Sequence, residues 1–144
     1  LSIFNAIGRI VWGTISDRLG RTITFVIMFA FQAVMMFLLP SLTTETAITL
    51  GAGLVGFNFG GNFAVFPSAT ADLFGSKNLG ANYGLVFTSY GVAGVAGIYA
   101  GNTAKDLTGS YGAAFAVCGA LCVVSCILSV ALHVWRARNT PAAA

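Results

Sequence analysis

The sequence predicts an all-α membrane protein with five transmembrane helices. Three observations predict it. The chain is 57% hydrophobic and only 8% charged, with a mean hydropathy of +0.87. Soluble domains carry roughly 25% charged residues, so most of this chain belongs in lipid. The apolar residues fall into runs close to the roughly 20 residues a spanning helix needs, and short polar breaks separate them. Glycine is also abundant, at 18 of 144 residues. This is well above the usual 7% or so and suits close packing of transmembrane helices.

Taken in order, residues 1–15 read as the remainder of one span, because the chain opens at Leu1 inside an apolar run with no charged leader before it. Residues 22–39 form a second span, closed by Pro40. Residues 47–73 form a third, long enough to tilt, with a bend expected at Pro67. Residues 80–103 and 113–135 form the fourth and fifth. The connections 16–21, 40–46, 74–79 and 104–112 leave no room for a soluble domain, and 136–144 is a tail. Arg18, Arg21, Lys77, Arg136 and Arg138 fall on one side, whereas the other side has Lys105 beside Asp106, and Glu45. The excess of Lys and Arg makes the first side cytoplasmic, and with it the C-terminus. The expected location is a cell (inner) membrane. Cations at the breaks between spans argue for topology and against nucleic acid as partner. With five spans and a cytoplasmic end, at least one more span is expected before Leu1, in a missing N-terminal part of the same chain.

Gly13 to Arg21 is the densest stretch of information. It places a six-residue charged turn, 16–21, between two apolar segments. Asp17 follows a helix end and Arg21 precedes a helix start, where the macrodipole opposes each charge. Partners elsewhere are therefore expected: a neighbouring helix start for Asp17 and an acidic group for Arg21. Gly13 would admit a neighbouring helix, and Gly20 would supply the positive φ of a tight reversal.

Polar residues from three spans reach a common depth. With a rise of about 1.5 Å per residue, Arg9 lies about 10 Å from its boundary, Tyr90 about 15 Å and Asn62 about 18 Å, in a core about 30 Å thick. A central arginine costs on the order of 3 kcal/mol to insert, so such residues face a bundle interior or a wet cavity. Asn5 shares the face of Arg9 at i−4, and no carboxylate lies in the membrane layer. An organic anion could balance the charge, as could an acid in the missing part. Asn58 and Asn62 share a face of the third span, either to bind a ligand or to hydrogen-bond a neighbouring helix. On the fourth span Gly80, Gly84, Gly91, Gly94, Gly97 and Gly101 lie within one arc together with Tyr83 and Tyr90. Helix packing is expected for most of the glycines, with Tyr90 lining a pathway. Cys118, Cys122 and Cys126, at i, i+4 and i+8, have no acidic or histidine company and read as packing residues. His133 reads as an interfacial residue. No nucleophile–base pair, metal-ligand cluster or phosphate loop is evident, so no enzyme activity, metal or cofactor is expected.

The stretch Gly13, Asp17, Arg18, Gly20, Arg21 resembles the G-x-x-x-D-R-x-G-R loop of the major facilitator superfamily at every fixed position. Within it, Asn5-Ala6-Ile7-Gly8-Arg9, Gly60 to Gly75 and Asn78 to Gly84 are similar to the oxalate/formate antiporter, monocarboxylate transporter-like family. The resemblance covers nearly the whole chain. It implies helices 8–12 of a twelve-helix major facilitator fold, within the C-terminal half, and transport by alternating access about a midplane site. It implies that Arg9 stands where the family places a carboxylate-binding arginine, and that Tyr90 replaces a lysine of the oxalate site. One fixed cation pairs with one carboxylate, so a monocarboxylate is expected over a dicarboxylate. Arg9, Tyr90, Asn62, Asn5 and Asn58 are the candidate substrate-binding residues, and the Gly13–Arg21 loop is the candidate conformational switch. The expected partners are a small organic anion, a coupling proton or counter-anion, the lipid bilayer and the missing N-terminal half. Three alternatives stay open: oxalate/formate-type exchange, placement as helices two to six of the first half, and a non-transporting carboxylate sensor or assembly subunit.

Overall fold

In a computed structural model, residues 1–139 are described and form five α-helices: α1 (Ser2–Leu19), α2 (Arg21–Leu38), α3 (Glu45–Phe74), α4 (Leu79–Thr108) and α5 (Gly112–Asn139). A short 3₁₀ turn, Leu39–Ser41, follows α2 and carries Pro40. Four stretches are long and apolar enough to cross a membrane: Arg21–Ser41, Glu45–Phe74, Leu79–Thr108 and Gly112–Arg138. The expected first span, α1, is not among them. It holds Arg9, Asp17 and Arg18 within 18 residues and is too charged. It packs along α3, which is one of the four.

The helices are longer than their apolar runs. The expected loop 74–79 shrinks to residues between Phe74 and Leu79, and 104–112 shrinks because α4 continues to Thr108. Polar residues at a helix end can still complete the backbone ladder in water or at a headgroup layer, so hydropathy alone truncates the span. The tail begins as helix, with Arg136 and Arg138 in the last turn of α5, and residues 140–144 lie outside the described part. Pro67 sits inside an α3 that continues on both sides of it.

The largest correction concerns the charged turn. It is a single residue, not six: α1 runs to Leu19 and α2 restarts at Arg21. Gly20 makes the break with φ 86° and ψ 155°, a region essentially restricted to glycine. Asp17 and Arg21 therefore remain one turn apart and pair with each other, Arg21 Nη1 to Asp17 Oδ1, at 2.6 Å. The same nitrogen donates to Ser16 Oγ at 2.8 Å. Arg21 also reaches the expected remote acid, which is Asp72 in the last turn of α3, with Nε to Oδ2 at 3.1 Å. One guanidinium thus ties together the ends of three helices, and the charge of Asp72 lies where the α3 dipole alone would disfavour it.

Packing is tightest between α1 and α3, which run parallel. A Cβ on Gly60 would collide with the backbone carbonyl of Asn5, and one on Gly8 with that of Phe57. Gly61 makes room for the indole of Trp12. Glycine is required here because backbone meets backbone. Trp12, Met28 and Val65 form the centre of the apolar core, with Ile15, Phe25 and Phe57 around it. The second pair, α2 and α5, is antiparallel. The Cys126 thiol donates to Val26 O at 3.6 Å, and Phe37 packs on Gly119. On α4 the expectation of glycine packing is not met within the described residues: Gly80, Gly84, Gly91, Gly94, Gly97 and Gly101 have open space around them.

Three outcomes follow. Gly60→Ala should destabilise the complete protein by about 1–3 kcal/mol through overpacking. Gly13→Ala, whose new methyl would meet Ala64 Cβ at an ordinary 3.7 Å, should be neutral or slightly stabilising; thermal denaturation in detergent distinguishes them. A double-mutant cycle of Arg21→Gln and Asp72→Asn should give a coupling of about 0.5–1 kcal/mol, because the pair is partly exposed. Strict additivity would remove the tie between α2 and α3.

Candidate functional site

The site begins with Arg9, which the α1–α3 contact fixes in place. One residue from Gly8, Arg9 leans over the Phe63 ring of α3, its Cζ 4.8 Å from the ring centroid. Its Nε donates to Asn5 Oδ1 at 3.2 Å, and Asn5 Nδ2 in turn donates to Gly56 O on α3 at 3.4 Å. The i, i+4 spacing places Asn5 and Arg9 on one face, as expected from the sequence. Arg9 has no carboxylate within ion-pair distance among the described residues, and its side chain is exposed. The π-face of Phe63 and an amide oxygen orient the guanidinium without neutralising it.

Tyr90 reaches the same ring from α4. Its ring centroid lies 6.1 Å from that of Phe63 in an edge-on arrangement, 5.9 Å from Phe59 and 5.2 Å from Phe87. Phe59 and Phe63 also meet edge to face at 5.3 Å. These aromatics wall a cavity of about 240 Å³ between α3 and α4, which Asn62, Phe66 and Tyr83 also line. Its volume lies just below the roughly 300–1,000 Å³ of pockets for drug-sized ligands, so a small ligand suits it better. Neither the Tyr90 hydroxyl nor the Asn62 amide has a hydrogen-bond partner among the described residues.

Phe59, Phe63 and Phe87 are the residues that sequence reasoning missed. The signal was present, because Phe59 and Phe63 are i, i+4, and Tyr83, Phe87 and Tyr90 are i, i+4, i+7. In an apolar span such spacing reads as ordinary lipid-facing or packing surface. Only the crossing of α3 and α4 shows that the two aromatic stripes meet.

The three asparagines divide by role. Asn5, Asn58 and Asn62 all border a larger cavity of about 920 Å³ among α1, α2, α3 and α5. Asn58, however, is 3% exposed and uses its amide nitrogen on Met28 O at 3.0 Å and on Gln32 Oε1 at 2.8 Å. Its nitrogen joins α3 to α2 and is not free for a ligand. The helix–helix alternative therefore describes its donor group, whereas its Oδ1 is buried without a hydrogen-bond partner among the described residues. In the loop, Gly13 touches α3, and Arg18 is exposed in the last turn of α1. Gly20 and Arg21 form the three-helix tie described above.

Comparison with known proteins identifies the family. A family model described as Major Facilitator Superfamily matches residues 1–143. The chain is 37% identical over 101 residues to the uncharacterized MFS-type transporter YhjX of Escherichia coli (strain K12), covering 66% of this chain and 24% of that protein. It is 36% identical over 90 residues to apicoplast pyruvate carrier 1 of Toxoplasma gondii, covering 61% of this chain and 16% of the carrier. It is 32% identical over 98 residues to the oxalate:formate antiporter of Oxalobacter formigenes, covering 67% and 23% respectively. The chain thus spans a quarter or less of the length of these relatives. The match over nearly its full length and the helical, apolar architecture together lead to one conclusion: this chain belongs to the major facilitator superfamily of membrane transport proteins.

Proposed function

We propose that this chain forms part of the translocation path of a secondary active transporter that moves a small organic anion, a monocarboxylate, by alternating access. The observation that carries the reading is Arg9, an oriented guanidinium without a carboxylate partner among the described residues, held over Phe63, a ring that also walls an aromatic cavity of about 240 Å³. A carboxylate would neutralise it through charge-assisted hydrogen bonds. Tyr90 and Asn62 can each donate one further bond, and the aromatic wall suits a short carbon skeleton. One cation at the site favours one carboxylate. Relatives named as a pyruvate carrier and an oxalate:formate antiporter support a small carboxylate as cargo. The antiporter also keeps oxalate/formate-type exchange in view as the second reading, with a counter-anion in place of a coupling proton.

The loop acts in this reading as the conformational switch. Gly20 couples α1 to α2 with no slack, and Arg21 clips both to Asp72 on α3. The three helix ends then move as one body, while exposed Arg18 and the second carboxylate oxygen of Asp17, whose Oδ1 is held by Arg21, can meet the N-terminal half. By the distribution of Lys and Arg, this end faces the cytoplasm of a cell membrane.

Uptake of labelled formate, lactate, pyruvate and oxalate by the complete protein in liposomes tests the reading. Arg9→Ala should reduce monocarboxylate uptake by about tenfold to a hundredfold, as expected for losing a hydrogen bond to a charged group. Tyr90→Lys should gain oxalate uptake. Wild-type transport by Arg9→Ala would remove the binding assignment. In cysteine labelling, Asp17→Asn should shift accessibility towards the inward-open state, and an unchanged pattern would remove the switch.

A further inference from the structure

We propose that the cleft between the start of α2 and the last turns of α5 binds the phosphate headgroup of an anionic phospholipid. The cleft measures about 480 Å³, and its polar walls are Arg21, His133, Arg136 and Asp72. The two arginines outnumber the one carboxylate. Arg21 is already engaged by Asp17 and Asp72, so it orients the cleft more than it charges it. Arg136 and His133 have no ion pair or hydrogen bond among the described residues. They are i and i+3 on α5 and so lie on one face. A guanidinium and a ring N–H on one wall, opposite the first backbone N–H groups of α2 at Thr22 and Ile23, form a donor set for phosphate oxygens.

The position selects a lipid over a free anion. The cleft opens at the ends of two candidate spans that pack antiparallel to each other, and the end of a spanning helix is where a headgroup layer is expected. Leu19 and Ile23 line it, and Ile27 on α2 and Val130 and Val134 on α5 are exposed further along the same two helices. A headgroup can therefore enter the polar end while its acyl chains run along apolar surface. Basic pockets between helices at a membrane face are suited to this chemistry.

The test uses the full-length protein in detergent and native mass spectrometry, with palmitoyl-oleoyl phosphatidylglycerol and phosphatidylcholine as probes. Wild type should retain phosphatidylglycerol preferentially. Arg136→Gln should lower that retention by about fivefold, the contribution of one basic residue near a lipid surface. Arg136→Gln combined with His133→Gln should lower it further, whereas Arg138→Gln, outside the cleft, should not. Equal retention by wild type and the double variant would overturn the site. An equal loss in Arg138→Gln would overturn it in favour of general surface charge. Inorganic phosphate at the lipid's concentration should leave the bound lipid in place, and displacement would assign the cleft to free phosphate instead. If the double variant cannot be isolated, Arg136→Gln alone gives the same readout.

Discussion

The rest of the structure depends on the backbone contact between α1 and α3. Gly8 lies against the Phe57 carbonyl and Gly60 against that of Asn5, so at these two points no side chain separates the helices. Lipid provides no hydrophobic drive for helices to associate, so close backbone approach and dispersion contacts carry much of the cohesion. That contact also fixes the candidate site. It sets Arg9 over Phe63 and lets Asn5 bond both to Arg9 and across to Gly56. An arginine on a loosely packed helix could snorkel towards water, whereas this one is held against an aromatic face.

A second constraint acts at the opposite end of the same helices. The glycine break at residue 20 keeps Asp17 and Arg21 within one turn, and Arg21 then reaches Asp72. Individual ion pairs at a surface contribute little. Their value here is geometric, because one planar guanidinium addresses three helix ends at once. Between the two constraints α1 is pinned at its middle and its end, while α4 has no buried residue among those described. The glycine face of α4 and the Tyr90 side of the cavity are thus the least enclosed part of the assembly.

Much of this was legible in the sequence, for identifiable reasons. Apolar runs and their breaks gave five helices in the right order, since hydrocarbon forces backbone bonds to close within each helix. The helix ends were misplaced where polar residues continue the ladder, as at Lys105 to Thr108 and Arg136 to Arg138. The pairing of Asn5 with Arg9 follows from spacing on one helix. The joining of α2 to α3 by Asn58, the aromatic link through Phe63 and the role of Asp72 do not, because each depends on which helices cross. The α4 glycines show the reverse case: a regular small-residue pattern has no partner among the described residues. Composition marks a surface as suitable for close approach but does not name what approaches.

The central claim is that Arg9 is kept without a resident counter-ion so that a passing carboxylate can supply the charge. Cryo-electron microscopy of the complete protein, with and without pyruvate, tests it most directly. The account predicts a substrate carboxylate within hydrogen-bond distance of the Arg9 guanidinium, and no aspartate or glutamate there in the empty state. A permanent protein carboxylate on Arg9 in both states, or a guanidinium turned out among lipid headgroups, would contradict it.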